Sequence, residues 1–280
     1  MIDAAKITIL VDNTAPEGLA AEHGFSAWIE VGDRRILFDT GLGAALPLNA
    51  AALGVDVGTA TDIVLSHGHY DHAGALAWVL ARNDHAVVWA HPGAVRARYS
   101  VREGVPRAIN VPAAAVAALD ALPPARWRAV TGPVALAPGV GLTGPIPRVT
   151  GYEDTGGPFF LDPEGAVADP LEDDLGLWIA TGQGVVVVTG CGHAGVINTV
   201  ELARTQSGVA RVHAVLGGFH LVAASAARLE ATAAAFAALA PALIAPCHCT
   251  SAPAIAALEA ALGASVQPPR AGAILDIAAA

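Results

Sequence analysis

Positive charge is scarce in this chain. Fifteen lysines and arginines stand against 25 aspartates and glutamates in 280 residues, a formal net charge of −10. A non-specific nucleic-acid binder needs a basic surface to neutralise phosphates, so the balance argues against that class while leaving room for a local basic pocket. Cysteine is scarce too, and three residues, Cys191, Cys247 and Cys249, do not make a disulfide framework. Long apolar runs are also missing. The longest uncharged stretch near the C-terminus, residues 231–249, is rich in alanine and interrupted by Pro241 and Pro246, so no membrane span is expected. Residues 1–6 lack the basic-then-apolar order of a secretory signal, and cytoplasm is the expected location.

What is present is regular at both ends. Apolar spacing predicts strands over 6–11, 26–31 and 34–38, the last two joined by Gly32-Asp33, a strong hairpin signal. Helical and strand patterns alternate from there to residue 90 and again from 177 to 277, which argues for a layered α/β (α+β) fold in a single domain over 1–280. Between about 93 and 174 the pattern weakens and prolines crowd, marking an insert or lid. Arg96, Arg98, Arg102 and Arg107 concentrate basic charge within it. Because guanidinium pairs bidentately with phosphate or carboxylate, the four read as an arginine-lined lid or pocket wall for an anionic substrate, or else as a solvated helix face; Arg96 and Arg98 are candidate substrate-binding residues, joined by His23 from an early loop. The acidic patches at 152–154 and 172–174 read as surface.

The chemistry concentrates in Ser66-His67-Gly68-His69-Tyr70-Asp71-His72-Ala73-Gly74, directly after the apolar run Ile63-Val64-Leu65. On an extended backbone His67 and His69 emerge on one side and can grip one ion. Asp71 and His72 lie just beyond, where the chain turns, and can face a second. Imidazole nitrogen with carboxylate oxygen is a ligand set that suits zinc, and also iron or manganese.

This stretch resembles the HxHxDH signature of the metallo-β-lactamase superfamily. The resemblance implies an αββα four-layer sandwich with metal ions at one edge of the sheets. It implies that Asp39, in Asp39-Thr40-Gly41, lies beneath the metal site and organises it without being a ligand. It makes His193, in Gly190-Cys191-Gly192-His193-Ala194-Gly195, the third ligand of the first ion, and His248 the residue that completes the second. Val11-Asp12-Asn13, the Gly-Cys-Gly-His at 190–193, Gly217-Gly218-Phe219-His220-Leu221 and the Cys-His-Cys-Thr at 247–250 together resemble one subgroup, the dihydropterin-methyl-ribofuranosyl-aminobenzene-phosphate synthase-like proteins. That subgroup implies a substrate carrying a pterin and a phosphate.

One departure stands out. Most two-metal members carry an aspartate at a strand end between the third and last histidines, bridging the ions. After His193 the only acids are Glu201, Glu230 and Glu259, in helical stretches, and Asp276, beyond His248. A strand end carries Gly218-Phe219-His220 instead, so His220 is a candidate ligand or substrate-facing base. Without a shared carboxylate to offset repulsion between dications, the second ion is expected to bind more weakly. Cys247 and Cys249, flanking His248 on a strand-like backbone, are expected to point away from the site into packing.

The leading expectation is therefore a metallo-hydrolase. Two divalent ions, zinc foremost, would lower the pKa of bound water to roughly 7, with Asp71 as a catalytic general base and His220 beside it. A small anionic molecule is the expected partner, and a homo-oligomer is left open. The same ligands suit an iron-dependent redox enzyme, and a metal-stabilised binding protein without turnover is the third alternative.

Overall fold

The structure is a computed structural model that describes residues 1–278. Its first strands are β1 (Ala4–Val11), β2 (Ser26–Val31), β3 (Arg34–Phe38), β4 (Asp62–Val64) and β5 (Val87–Ala90). A middle group follows: β6 (Tyr99–Arg102), β7 (Val105–Ala108), β8 (Trp127–Ala129), β9 (Val134–Ala137), β10 (Val140–Leu142) and β11 (Phe159–Phe160). The last are β12 (Gly176–Thr181), β13 (Gly184–Thr189), β14 (Val212–Gly218), β15 (Leu243–Cys247) and β16 (Ile274–Ala278). Helices α1 (Ala45–Ala52), α2 (Tyr70–Ala73), α3 (Leu76–Leu80) and α4 (Ala113–Asp120) belong to the first half, and α5 (Val196–Ser207), α6 (Ala226–Leu239) and α7 (Ala252–Leu262) to the second.

Two sheets carry the fold, in the orders β16-β1-β2-β3-β4-β5-β8 and β15-β14-β13-β12-β10-β9. Each begins with antiparallel hairpins and passes into parallel strands: β3 to β4, β5 and β8 in one, β13 to β14 and β15 in the other. The hairpin over 26–38 pairs Val31 with Arg34 across Gly32-Asp33, and the one over 176–189 pairs Thr181 with Gly184. Both sheets are buried on both faces, which is why their strands read as near-continuous apolar runs. In β13, Val186 and Val188 enter the core between the sheets, while Val185 and Val187 face the outer helices. A second outer core lies against α1, α3 and α4. The layers are therefore helix, sheet, sheet, helix. The later helices start on serine caps, with Ser225 accepting from Arg228 N and Ser251 from Ala254 N.

The stretch 93–174 is not one insert. β8 extends the first sheet and β9 and β10 extend the second. Only β6, β7 and β11 form a separate three-stranded sheet. Short strands broken by proline hid these additions from a periodicity reading. Among the described residues no helix is long and apolar enough to cross a membrane.

Parallel strands deliver their C-terminal ends to one edge of each sheet, where the chain must turn and side chains can converge. At this edge three residues other than glycine adopt left-handed backbone: Asp39 (φ 58°), His220 (φ 46°) and His248 (φ 50°). Such a conformation costs on the order of 1 kcal/mol or more and is retained where surrounding structure fixes it.

Candidate metal centre

The edge is built from beneath. Asp39, fully buried at the end of β3, accepts from Ser66 N (2.7 Å), Ser66 Oγ (2.7 Å) and His72 Nδ1 (2.7 Å). Its carboxylate thus ties two strand ends together and turns His72 so that Nε2 faces the site. Ser66 spends its one hydroxyl hydrogen on Asp39, so it accepts from His67 Nδ1 at 2.8 Å, and His67 likewise presents Nε2. His193 donates through Nδ1 to Thr155 O at 2.8 Å, and His248 through Nδ1 to Asn13 Oδ1 at 3.0 Å. Asp12 Oδ1 accepts from His248 N at 2.8 Å, which fixes the backbone of that turn. Such outer contacts set ring orientation and tautomer in metal-ligating histidines.

Glycine is obligatory between the first two histidines. A Cβ on Gly68 would stand 1.8 Å from Ala94 O, and Gly68 N donates to Asp173 Oδ2 at 2.8 Å. At Gly190 a Cβ would stand 2.0 Å from Ser66 Oγ, so the β13 end passes directly over the Asp39–Ser66 pair.

Donor atoms of His67, His69 and His193 all lie within 4.8 Å of one another, and so do those of His23, Asp71 and His248. Between the two clusters sits Cys191. Its Sγ is 3.1 Å from His72 Nε2, and it shares such groupings with His67 and His72, with His193 and His220, and with His248 and Cys249. Among the described residues, three buried imidazole nitrogens at this edge, His69 Nε2, His193 Nε2 and His220 Nδ1, have no hydrogen-bond partner. A buried nitrogen left so costs about 1–3 kcal/mol, and a cation among them removes that penalty. The donor set fits divalent metal.

Electrostatics point the same way. Burial pushes His67 and His193 well below the ordinary imidazole value and His69 down to about 3, so all three are neutral donors at pH 7. Burial would lower His72 also, but the carboxylates of Asp39 and Asp71 outweigh it and hold the ring at about 9. Burial would raise Asp71, yet His72 and the other imidazoles keep its carboxyl well below the usual range. Burial pushes Asp174 up to about 7, against the bond it accepts from Ala194 N at 2.6 Å.

A cavity of about 400 Å³ opens above this floor, lined in part by His23, Tyr70, Arg102, Arg107, Phe159 and His220. The small sheet supplies much of its wall. Arg107 Nη2 donates to Tyr70 Oη at 2.9 Å and its guanidinium lies 5.2 Å from the Tyr70 ring centre. His220 stands 4.2 Å from His193 between ring centres.

Two expectations need correction. Arg98 does not face a substrate: it is buried, pairs with Asp173 (2.8 and 2.5 Å) and Asp169 (3.0 Å), and so braces the carboxylate that holds Gly68. Arg96 is exposed and outside the cavity lining. Arg102 and Arg107 are the arginines that face it. Cys249 is buried as expected but does not point away from the site. The left-handed turn at His248 breaks strand alternation, so Cys247 enters the central core while Cys249 lines the cavity and accepts from His220 N at 3.2 Å.

The sequence reading missed three buried acids that hold site loops. Asp173 serves Gly68, Asp174 serves Ala194, and Glu153 accepts from Ile197 N (2.9 Å) and Asn198 N (3.0 Å) at the start of α5. An Asp-Asp pair leading straight into the apolar run Leu175-Gly176-Leu177 was the available signal.

Comparison with known proteins agrees with this architecture. A family model of the metallo-beta-lactamase superfamily matches residues 20–248. A Methanocaldococcus jannaschii protein, 7,8-dihydropterin-6-methyl-4-(beta-D-ribofuranosyl)-aminobenzene-5'-phosphate synthase, is 31% identical over 261 residues, 89% of this chain and 88% of its own. An uncharacterized protein of the same organism is 36% identical over 223 residues, 78% of this chain and 80% of its own. The crystal structure of Tm1679, a metal-dependent hydrolase of the beta-lactamase superfamily, has a TM-score of 0.83 at 29% identity and covers 98% of this chain and 99% of that one.

Proposed function

The chain belongs to the metallo-β-lactamase superfamily, and from that premise we propose that it is a dinuclear metal-dependent enzyme acting on a small phosphate-bearing substrate. The observation that carries the reading is the set of buried, unpartnered nitrogens on His69, His193 and His220 at the floor of a cavity walled by arginines. His67, His69 and His193 would hold a first ion, and Asp71, His72 and His248 a second, with the Cys191 thiol between the two groups. Zinc suits this mix of imidazole, carboxylate and sulfur best. When bound, such ions supply Lewis acidity and a water acidified to near neutrality.

The protein's own groups do the rest. Arg102 and Arg107 face the cavity and pair with phosphate oxygens, which orients the substrate relative to the floor. Phe159 and Ile109 present apolar surface beside them and exclude bulk water from part of the cavity. Asp71, kept ionised by the surrounding imidazoles, accepts a proton from an attacking hydroxyl or amine. His220, whose ring lines the cavity beside His193, is the histidine nearest a substrate over the same floor.

A second reading has its own support, since the 31%-identical relative is named a synthase. The same floor would then activate a phosphate leaving group for displacement by an aminobenzene carbon or amine instead of water. The experiment is a comparison of phosphate-ester and diphosphate hydrolysis with dihydropterin condensation, using metal-loaded protein and the R102A/R107A variant. Loss of both arginines is expected to raise KM about a hundredfold or more, each charged hydrogen bond being worth roughly 1.5–3 kcal/mol. An unchanged KM for phosphate-bearing substrates would refute the assignment of the pocket wall.

A further inference from the structure

On the reading that the site takes two ions, we infer that His23 is a fourth protein ligand of the second, closing a His3Asp set with Asp71, His72 and His248. Asp71 Oδ2 lies 3.1 Å from His23 Nε2, 3.5 Å from His248 Nε2 and 3.9 Å from His72 Nε2. His72 Nε2 and His248 Nε2 are 3.1 Å apart. Donors about 2.0–2.1 Å from a tetrahedral zinc stand about 3.3 Å from one another. These four separations lie near the value a single tetrahedral ion would impose, and His23 shares with Asp71 and His248 a group of donor atoms within 4.8 Å of one another.

The lone pairs agree with the distances. His72 Nδ1 is committed to Asp39 and His248 Nδ1 to Asn13 Oδ1, so both rings aim Nε2 at the same point. Two such nitrogens repel at 3.1 Å unless a proton or a metal cation lies between them. His23 approaches that point from the solvent side: its side chain is 55% exposed, whereas those of His72 and His248 are 0%.

The backbone on either side of His23 is fixed. Both oxygens of Glu22 accept backbone N–H groups, from Leu42 and Gly43 on one and Ala44 and Ala45 on the other, at 2.9–3.1 Å. Gly24 N donates to Asn13 Oδ1 at 3.2 Å and Phe25 N to Asp71 O at 3.3 Å. A Cβ at Gly24 would stand 2.7 Å from Asp71 O, so the loop is pressed against the residue its histidine meets. The missing bridging carboxylate is thereby offset by an extra imidazole at the second ion.

The test uses the full-length protein stripped with chelator, as wild type and as H23A and H23Q. Each is titrated with Zn2+ against a chromophoric chelator and with Co2+ by visible absorption. Wild type should take up two ions, the second Co2+ giving the intense d–d bands of a tetrahedral centre. Loss of outer-shell partners alone costs about 10–100-fold in metal affinity, so loss of a direct donor should weaken the second ion by roughly a hundredfold. In H23A the first ion should bind as before, the second band should fall as coordination opens, and added imidazole should restore it. Wild-type affinity and an unchanged spectrum in both variants would overturn the inference, leaving His23 as an ion-pair partner of Asp71. A wild type that binds no second ion would instead overturn the dinuclear reading itself.

Discussion

Replacing Asp39 by asparagine should change how stability depends on pH in a direction the structure fixes. In the metal-free protein His72 is held at about 9 against an ordinary value of 6.5, because the carboxylates of Asp39 and Asp71 outweigh its burial. A histidine whose folded value is raised contributes stability that is fully present below the unfolded value and lost as pH rises through the folded one. The window is therefore pH 6.5 to 9, and the stability lost across it is about 3 kcal/mol. Asp174, raised to about 7, loses its own contribution between its unfolded value near 4 and pH 7 and is spent before most of this window. The depressed histidines His67, His69 and His193 act below pH 6.5, where the unfolded chain takes up protons that the folded one refuses. Urea denaturation of chelator-stripped wild type and D39N at pH 7 and 9 isolates the His72 contribution as the difference between their slopes. D39N should be less stable at pH 7 and should lose little more by pH 9. Metal-loaded wild type should also lose the slope, because a bound ion displaces the same proton. A metal-free wild type that keeps its stability from pH 7 to 9, or a D39N variant that keeps the full slope, would refute this account of the pair.

Further predictions concern the groups beneath and between the clusters. Arg98→Ala leaves the buried carboxylates of Asp169 and Asp173 without their cation, and should cost about 3–5 kcal/mol in denaturant unfolding. It should also lower metal content, since Asp173 holds the backbone between His67 and His69. Cys191→Ser should strongly reduce the sulfur-to-metal charge-transfer absorption expected of the Co2+-loaded protein, while Cys247→Ser, in the central core, should leave that absorption intact.

Much of the site was legible because strand ends announce themselves. An apolar run closing on small residues and histidines marks Ser66–His72 and Gly190–His193 in the bare sequence, and the two clusters form where those ends meet. What escaped depends on backbone and partners that spacing does not encode. The left-handed turn at His248 redirects Cys249, and strand alternation alone predicts the opposite. Arg98 meets Asp173 across 75 residues of chain, so its charge looks available until the fold spends it. Sequence patterning places a bridging group at the end of β14 and makes it a carboxylate. The group lying between the clusters is a thiol at the end of β13. Buried acids at 153, 173 and 174 read as surface because each satisfies backbone N–H groups that only the folded loops present.

The most direct test of the central claim is metal content per chain, measured by elemental analysis on protein purified without chelator or added metal. Two divalent ions per chain, falling to one or none in His193→Ala, are what a dinuclear centre predicts. A folded wild type that carries no stoichiometric metal and takes none up on titration would contradict it.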